Sequence, residues 1–393
     1  MRNKRSTRGY TGALSRPDRP LLLSVLLLTA LGVVMVYSAS TYRAAELYQD
    51  STFFLEKHVI RVLIGLAAFY VAYRTDYRTM TRYSRLLILV GLFLLALVLI
   101  AGWEDPVRGS RRWLRIGGFS FQPSELVKLL VVLYLADFLA RKREQSESFR
   151  RGLLPAVTVL GLIAVLIALE KNLSGVLHVS LLACLLLFLG GTRIRHLVVL
   201  GLVFALVGGA SIAKSPYQRQ RIFDFLDGTK DVQNTDYQVN QSLISLGSGG
   251  LAGVGVGNSR QKFFFLPDSH TDFVLSIVGE ELGFVGAGGV MILFLVFGWR
   301  GARIAARAPD LEGRLLAGGI TLLVFLYAML NVAVVTNAVP TTGVPLPLVS
   351  YGGSSLLVGL FGAGVLLNIS RHALRRPYAS ADTAVRRLAK RSS

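Results

Sequence analysis

Residues 84–103 read SRLLILVGLFLLALVLIAGW, with one charge, Arg85, at the second position and none in the 18 residues that follow. A helix covers the ~30 Å hydrocarbon layer of a bilayer with about 20 mostly apolar residues. Within lipid the backbone has to satisfy its own hydrogen bonds, so such a run is helical. Gly91 is no objection, because glycine is commoner in membrane helices than in soluble ones. Outward from this segment the pattern repeats at 20–40, 58–75, 123–140, 152–170, 173–191, 196–213, 272–299, 313–336 and 352–370. The chain as a whole is 52% hydrophobic and 17% charged, against about 25% charged for soluble domains. The expected fold is an all-α polytopic membrane protein of ten helices. Residues 19–370 form its membrane domain, 1–18 and 371–393 are polar, basic tails, and 214–271 is a long connection between helices seven and eight. A loop of that length is usually functional or carries structure of its own.

The formal net charge is +20, from 43 basic and 23 acidic residues. Its distribution argues against nucleic acid. Basic clusters fall in alternate connections: Arg2, Lys4, Arg5 and Arg8; Arg74, Arg78, Arg82 and Arg85; Arg141, Lys142, Arg143, Arg150 and Arg151; Arg193 and Arg195; Arg300, Arg303, Arg307 and Arg314; Arg371, Arg375 and Arg376. This positive-inside pattern places both termini in the cytoplasm and suits contact with anionic lipid. Two groups break it on the outward side: Arg108, Arg111, Arg112 and Arg115, and Lys214, Arg219, Arg221, Lys230, Arg260 and Lys262. Either an anionic ligand or lipid headgroups explain them. The single cysteine, Cys184, allows no internal disulfide. Ser38-Ala39-Ser40 has the small-residue look of a cleavage site, but the apolar run before it is long enough for an uncleaved anchor.

Four segments carry candidate chemistry. Gln122-Pro123-Ser124-Glu125 opens a helix with Pro in the first turn, and Glu125 and Lys128 share a face three residues apart. Charges at membrane depth are costly and point to function, or to an ion pair at the interface. In His270-Thr271-Asp272-Phe273, Asp272 is either an N-cap or a general base, with His270 as a donor or a second base. Glu280 and Glu281 lie two turns deeper, where at least one faces the interior. The glycine-dense 247–257 lacks the Lys-Ser/Thr and the preceding strand of a nucleotide loop, so its glycines serve tight turns or close backbone packing. Residues 340–355, PTTGVPLPLVSYGGSS, hold three prolines in their first eight positions. They read as a broken segment that lines a cavity or plugs the bundle, and Ser350 and nearby glycines offer N–H groups to an anion. The five histidines show no metal-ligand spacing.

The runs GSRRWLRIGGFSFQPSELVKL (109–129), YQRQRIFDFLDGTKD (217–231), YQVNQSLISLGSGGLAGVGVGNSRQKFFFLPDSHTDFVLSIVGEELGF (237–284) and PTTGVPLPLVSYGGSSL (340–356) together closely resemble the SEDS family of bacterial cell-wall glycosyltransferases, FtsW, RodA and SpoVE among them. The resemblance implies a peptidoglycan glycosyltransferase that polymerises lipid II into glycan strands at the outer face of the plasma membrane. It implies Asp272 as the catalytic residue, with Glu125 and Lys128 in the same central cavity and Lys57 where the family usually has Arg. It also implies a class B penicillin-binding protein as partner, contacting helices eight and nine, alongside other divisome or elongasome membrane proteins. In one place the chain departs from the family: Glu170-Lys171-Asn172-Leu173-Ser174-Gly175 has Asn172 where many members have Asp. This run and the PTTG run lean towards the division type, and so towards the septum.

The expected chemistry has Asp272 accepting a proton from the attacking sugar hydroxyl while cations stabilise the departing pyrophosphate. Lys128 and Arg111 are the first candidates, with Lys57, Lys262, His270 and Ser350 as further substrate contacts. A divalent cation, Mg or Mn, is the alternative neutraliser, with Glu125 or Asp272 as its ligand. The rival readings are a lipid-linked precursor flippase, a non-catalytic scaffold for a transpeptidase, and an O-antigen ligase or polymerase.

Overall fold

A computed structural model describes residues 16–104, 110–116, 119–142, 153–227, 235–263, 266–267 and 269–372. Arg108, Lys230 and the basic residues expected at 1–15, 143–152 and 373–393 lie outside them. The described residues form thirteen helices and a small sheet. The helices are α1 (Arg19–Tyr48), α2 (Phe53–Arg74), α3 (Tyr77–Arg82), α4 (Ser84–Ala101), α5 (Pro123–Arg141), α6 (Leu154–Leu169), α7 (Leu173–Leu189), α8 (Ile194–Lys214), α9 (Pro216–Asp227), α10 (Thr235–Ser248), α11 (Val274–Arg307), α12 (Leu311–Val335) and α13 (Gly353–His372). Every expected span is met by a helix. Six of them (α1, α4, α8, α11, α12 and α13) are long and apolar enough to cross a membrane on their own terms, and α6 and α7 are shorter apolar helices.

The helix that departs most from simple apolarity is α5, and its position explains why. It is buried on almost every face, from Pro123 to Leu139, and packs against α4, α7, α12 and α13. Its four charges therefore meet protein partners: Lys128 lies 2.6 Å from Glu125, and Asp137 pairs with Arg141 and accepts a hydrogen bond from Ser84. This is the arrangement expected of ionisable groups inside a bundle.

The long connection carries its own structure, α9 and α10, as its length required. α10 is pinned by serines: the Ser242 hydroxyl meets that of Ser276 at 2.7 Å, and Ser245 donates to the Ser276 carbonyl and to Glu280. The glycine-rich run then packs backbone to backbone on α11, where Gly283 (φ 67°, ψ −165°) interrupts the helix. The carbonyls freed at Glu280 and Glu281 accept from Val254 and Gly255, and the amides of Phe284 and Val285 donate to Gly250 and Leu251. A Cβ on Gly253 would stand 2.2 Å from the Glu281 carbonyl oxygen, so only glycine allows this latch. Both glutamates are buried and both are used. Glu280 accepts from Ser245, Ser259 and the Arg260 amide, and Glu281 from Ser38, the Ser259 amide and Lys262.

The connection between α4 and α5 forms strands β1 (Trp103–Glu104), β2 (Arg111–Ile116) and β3 (Phe119–Phe121), paired antiparallel in that order. Leu114 faces Phe121 and Arg115 faces Ser120 in the register. This hairpin caps one end of the bundle.

Candidate functional site

Two clefts open at the hairpin end. The larger, about 630 Å³, lies between α2, the hairpin and the start of α13; Lys57, Arg61, Arg115, Trp103, Trp113, His270, Thr271 and Tyr351 line it. The smaller, about 280 Å³, lies between α7, α9 and the broken segment, with Arg112, Lys171, Gln218, Arg221 and Pro340–Gly343 in its wall. Each wall thus carries three cations, and among the described residues lining them there is no acid. One strand serves both clefts. Successive side chains of a strand point to opposite faces, so β2 sends Arg112 to the smaller cleft, and Trp113 and Arg115 to the larger.

Asp272 stands where the two walls meet. Its neighbour Thr271 lines the larger cleft, and Gly343, in the wall of the smaller one, has its would-be Cβ 3.4 Å from Asp272 Oδ2. The N-cap of α11 is Phe273, and no side-chain cap bond is made there. Asp272 is the residue immediately before that cap. The helix N-terminus beside it still favours an ionised carboxylate.

The larger cleft has an aromatic wall. Phe54 packs on His270 and Tyr351 with centroids 4.9 and 5.4 Å away, Tyr48 stacks on Phe53 at 3.7 Å, and Lys57 and Arg61 lie over the Phe53 and Tyr351 rings. The Tyr351 amide donates to the His270 carbonyl at 3.0 Å, tying the broken segment to the turn before α11. Arg61 is one helical turn beyond Lys57 on the same face of α2, a signal present in the sequence but read as part of a plain span. In the smaller cleft, Arg221 donates to the Thr341 carbonyl and Gln218 to the Lys171 carbonyl, so α9 bridges the α6–α7 turn and the broken segment.

Glu125 and Lys128 lie beneath both clefts. Glu125 Oε1 accepts from Lys128 Nζ and from the Tyr327 hydroxyl, each at 2.6 Å, and the ammonium sits 4.0 Å from the Tyr327 ring centroid. Lys128 is 1% exposed. Three other expected contacts are engaged elsewhere. Lys262 is bound to Gly257, Ser38 and Glu281 in the latch. Ser350 gives its N–H to the Leu346 carbonyl and its hydroxyl accepts from the Leu346 amide, which shapes the broken segment. Arg111 reaches the Leu99 carbonyl and lines neither cleft.

At the departure from the family run, Asn172 caps α7, accepting from the Gly175 amide at 3.0 Å and donating to Ser124. Asn caps as well as Asp, so the turn survives the change. The Glu170 carboxylate is fully buried without a hydrogen-bond partner among the described residues, and Arg112 grips its main-chain carbonyl instead. A resident metal ion finds no cage: among the described residues no three His, Cys, Asp or Glu side chains converge, and the inward oxygen of Glu125 is taken by Lys128 and Tyr327.

Comparison with known proteins places this geometry. The family model described as cell cycle protein, covering FtsW, RodA and SpoVE, matches residues 19–375. A probable peptidoglycan glycosyltransferase FtsW of Geobacter sulfurreducens is 40% identical over 357 residues, 91% of this chain and 96% of that one. Stage V sporulation protein E of Bacillus subtilis is 42% identical over 357 residues, 91% of this chain and 97% of that one. Among solved structures, a chain of a peptidoglycan synthase complex that coordinates polymerization and crosslinking superposes with a TM-score of 0.73 at 28% identity, covering 90% of this chain and 98% of its own. The rod shape determining protein RodA of Thermus thermophilus superposes with a TM-score of 0.66 at 29% identity, covering 91% and 98%. With sequence and fold in agreement, the chain belongs to the FtsW/RodA/SpoVE family of membrane-embedded cell cycle proteins.

Proposed function

We propose that this protein is a peptidoglycan glycosyltransferase that joins two lipid II molecules at the outer face of the plasma membrane, in cell division. The observation that carries the reading is the carboxylate of Asp272 at the meeting line of two cation-lined clefts. A polymerase of lipid-linked sugars has to hold two substrates at once, and each bears a pyrophosphate. Two separate cationic walls suit that demand. Hydrolysis would require only one.

In the reaction, the 4-hydroxyl oxygen of the acceptor N-acetylglucosamine attacks the anomeric carbon of the donor muramyl sugar. The new C–O bond forms as the bond to the pyrophosphate oxygen breaks, and the hydroxyl proton passes to Asp272. The leaving polyprenyl pyrophosphate takes the electron pair, and arginine and lysine side chains at the cleft walls stabilise it without reorganising. Arg61, Lys57 and Arg115 serve one substrate, and Arg112, Lys171 and Arg221 the other. The aromatic wall of the larger cleft supplies flat faces for sugar rings. Lys128 contributes its positive field from below, with Glu125 and Tyr327 holding it in place. No step is routed through a metal ion.

The positive-inside pattern supports cytoplasmic termini, and the likeness to a chain of a synthase complex supports a class B penicillin-binding protein as partner. The PTTG run and the FtsW relatives favour septal synthesis. The decisive experiment is polymerisation of purified lipid II by this protein with its cognate transpeptidase, comparing wild type with Asp272→Ala. Strands from wild type and none from a folded, partner-bound variant are expected. Equal strand formation by both would remove Asp272 as the base, and lipid II crossing vesicle bilayers without strand formation would favour the flippase.

A further inference from the structure

Asn331 lies near the end of α12 in the apolar stretch YAMLNVAVV, residues 327–335, and is fully buried. Its amide nitrogen makes two hydrogen bonds. One goes to the main-chain carbonyl of Asp272, at 2.7 Å, and the other to that of Val344, at 2.8 Å. An amide NH₂ carries two hydrogens, so both are used. The Oδ1 atom of the same side chain is buried with no partner among the described residues. A buried acceptor left without a hydrogen bond is destabilising, and an apolar side chain would avoid it. The polar side chain is therefore held for what its nitrogen does.

That nitrogen joins two segments remote in sequence, the turn 269–273 and the broken segment 340–349. Neither is regular helix at this point. Asp272 is the residue before the α11 cap, while Gly343, one residue before Val344, takes a left-handed conformation with φ 66° and would carry a Cβ 3.4 Å from Asp272 Oδ2. A fork with two donors at a single atom sets the distance between the Asp272 main chain and the wall carrying Gly343. Serine and threonine offer one donor, and aspartate offers none.

We propose that Asn331 is a positioning residue for Asp272, a two-donor clamp that holds the carboxylate at the junction of the two clefts. The inference rests on the reading of Asp272 as the base. A displaced base loses alignment with the hydroxyl while the walls that bind the two pyrophosphates stay where they are. The effect belongs in kcat, not in KM.

The test measures lipid II polymerisation by the protein with its transpeptidase for wild type, Asn331→Leu, Asn331→Asp and Asn331→Ser, each also in an Asp272→Ala background. Asn331→Leu and Asn331→Asp are expected to lose about 100-fold in kcat, the scale of a misplacement of about 1 Å, with KM within about threefold and monodisperse, thermally stable protein. Asn331→Ser keeps one donor and should fall between them and wild type. In the Asp272→Ala background the Asn331 changes should add nothing, because the group they position is gone. Should the leucine variant fail to fold, the aspartate variant, matched in shape, carries the comparison. Wild-type kcat in both, or a loss confined to KM, overturns the clamp while leaving Asp272 as base. Activity surviving in Asp272→Ala alone overturns the base itself.

Discussion

Replacing Lys128 by Met removes the ammonium 2.6 Å from Glu125 Oε1 and leaves a carboxylate whose side chain is 10% exposed with only the Tyr327 hydroxyl beside it. At an effective dielectric constant of ~20 the direct attraction is about 6 kcal/mol, but most of it offsets the desolvation of the two charges. The relevant quantity is the penalty for leaving one charge behind, about 3–5 kcal/mol. Glu125→Gln is expected to destabilise by a similar amount, stranding the ammonium over the Tyr327 ring. The double variant Glu125→Gln/Lys128→Met buries no charge, and replacing a buried pair by neutral groups of similar size is neutral to stabilising. The singles should therefore melt several degrees below wild type, and the double above either single, in fluorescence-monitored unfolding in detergent. Lipid II polymerisation is read in parallel. The double should regain stability but not turnover, because nothing then supplies positive charge beneath the clefts. A double variant as unstable as the two singles combined refutes the coupling argument, and one with wild-type turnover refutes a role for Lys128 in the chemistry.

Gly253→Ala places a methyl 2.2 Å from the Glu281 carbonyl oxygen at φ 80°, so the latch on the α11 kink should open. A loss of at least 2–3 kcal/mol is expected, seen as a lower melting point and faster proteolysis within residues 249–262; unchanged resistance counts against the latch. Arg61→Ala and Arg221→Ala remove cations from different clefts. Each should raise the KM for lipid II several-fold and flatten its rise with salt, and the two losses should multiply, because the walls serve separate substrates. A double variant no worse than either single would place both arginines on one ligand.

The membrane architecture was legible because its signal is local: each span announces itself within twenty residues, and all ten expected spans are helices. The charges at Glu125, Lys128, His270 and Asp272 were legible for a related reason, since an ionisable group in or beside an apolar run stands out, whereas Lys57 came only from the family resemblance. Tertiary geometry decided the rest. Lys262 looked like a ligand contact by sign and side, yet Glu281 and Ser38 claim it through a kink that no periodicity reveals. Arg111 and Arg112 are indistinguishable as letters, and strand alternation gives the smaller cleft to Arg112. Asn331 carried no signal. A single amide in an apolar helix has no spacing partner, and its meaning comes only from two carbonyls, 59 and 13 positions away.

The distribution of polar contacts along the bundle also separates polymerisation from transport. A flippase alternates between two openings, so its far end has to come apart. Here that end is tied by charge and side-chain bonds between elements distant in sequence. Arg300 donates to Asp18 at 2.9 Å, joining α11 to the start of α1, and Arg78 and the Tyr77 hydroxyl converge on Asp310 at 2.9 and 2.8 Å. Burial, and then the Asp310 carboxylate, push the Tyr77 phenol up, so it stays a donor. Asn368 adds bonds from α13 to the main chain of Tyr73 and Tyr77. Between this seal and the clefts stand the Glu125–Lys128–Tyr327 cluster and the Glu280–Glu281 latch, each satisfied internally. A polar route through the bundle would have to dismantle three such networks in succession, whereas bond formation at Asp272 uses only the end that is already open.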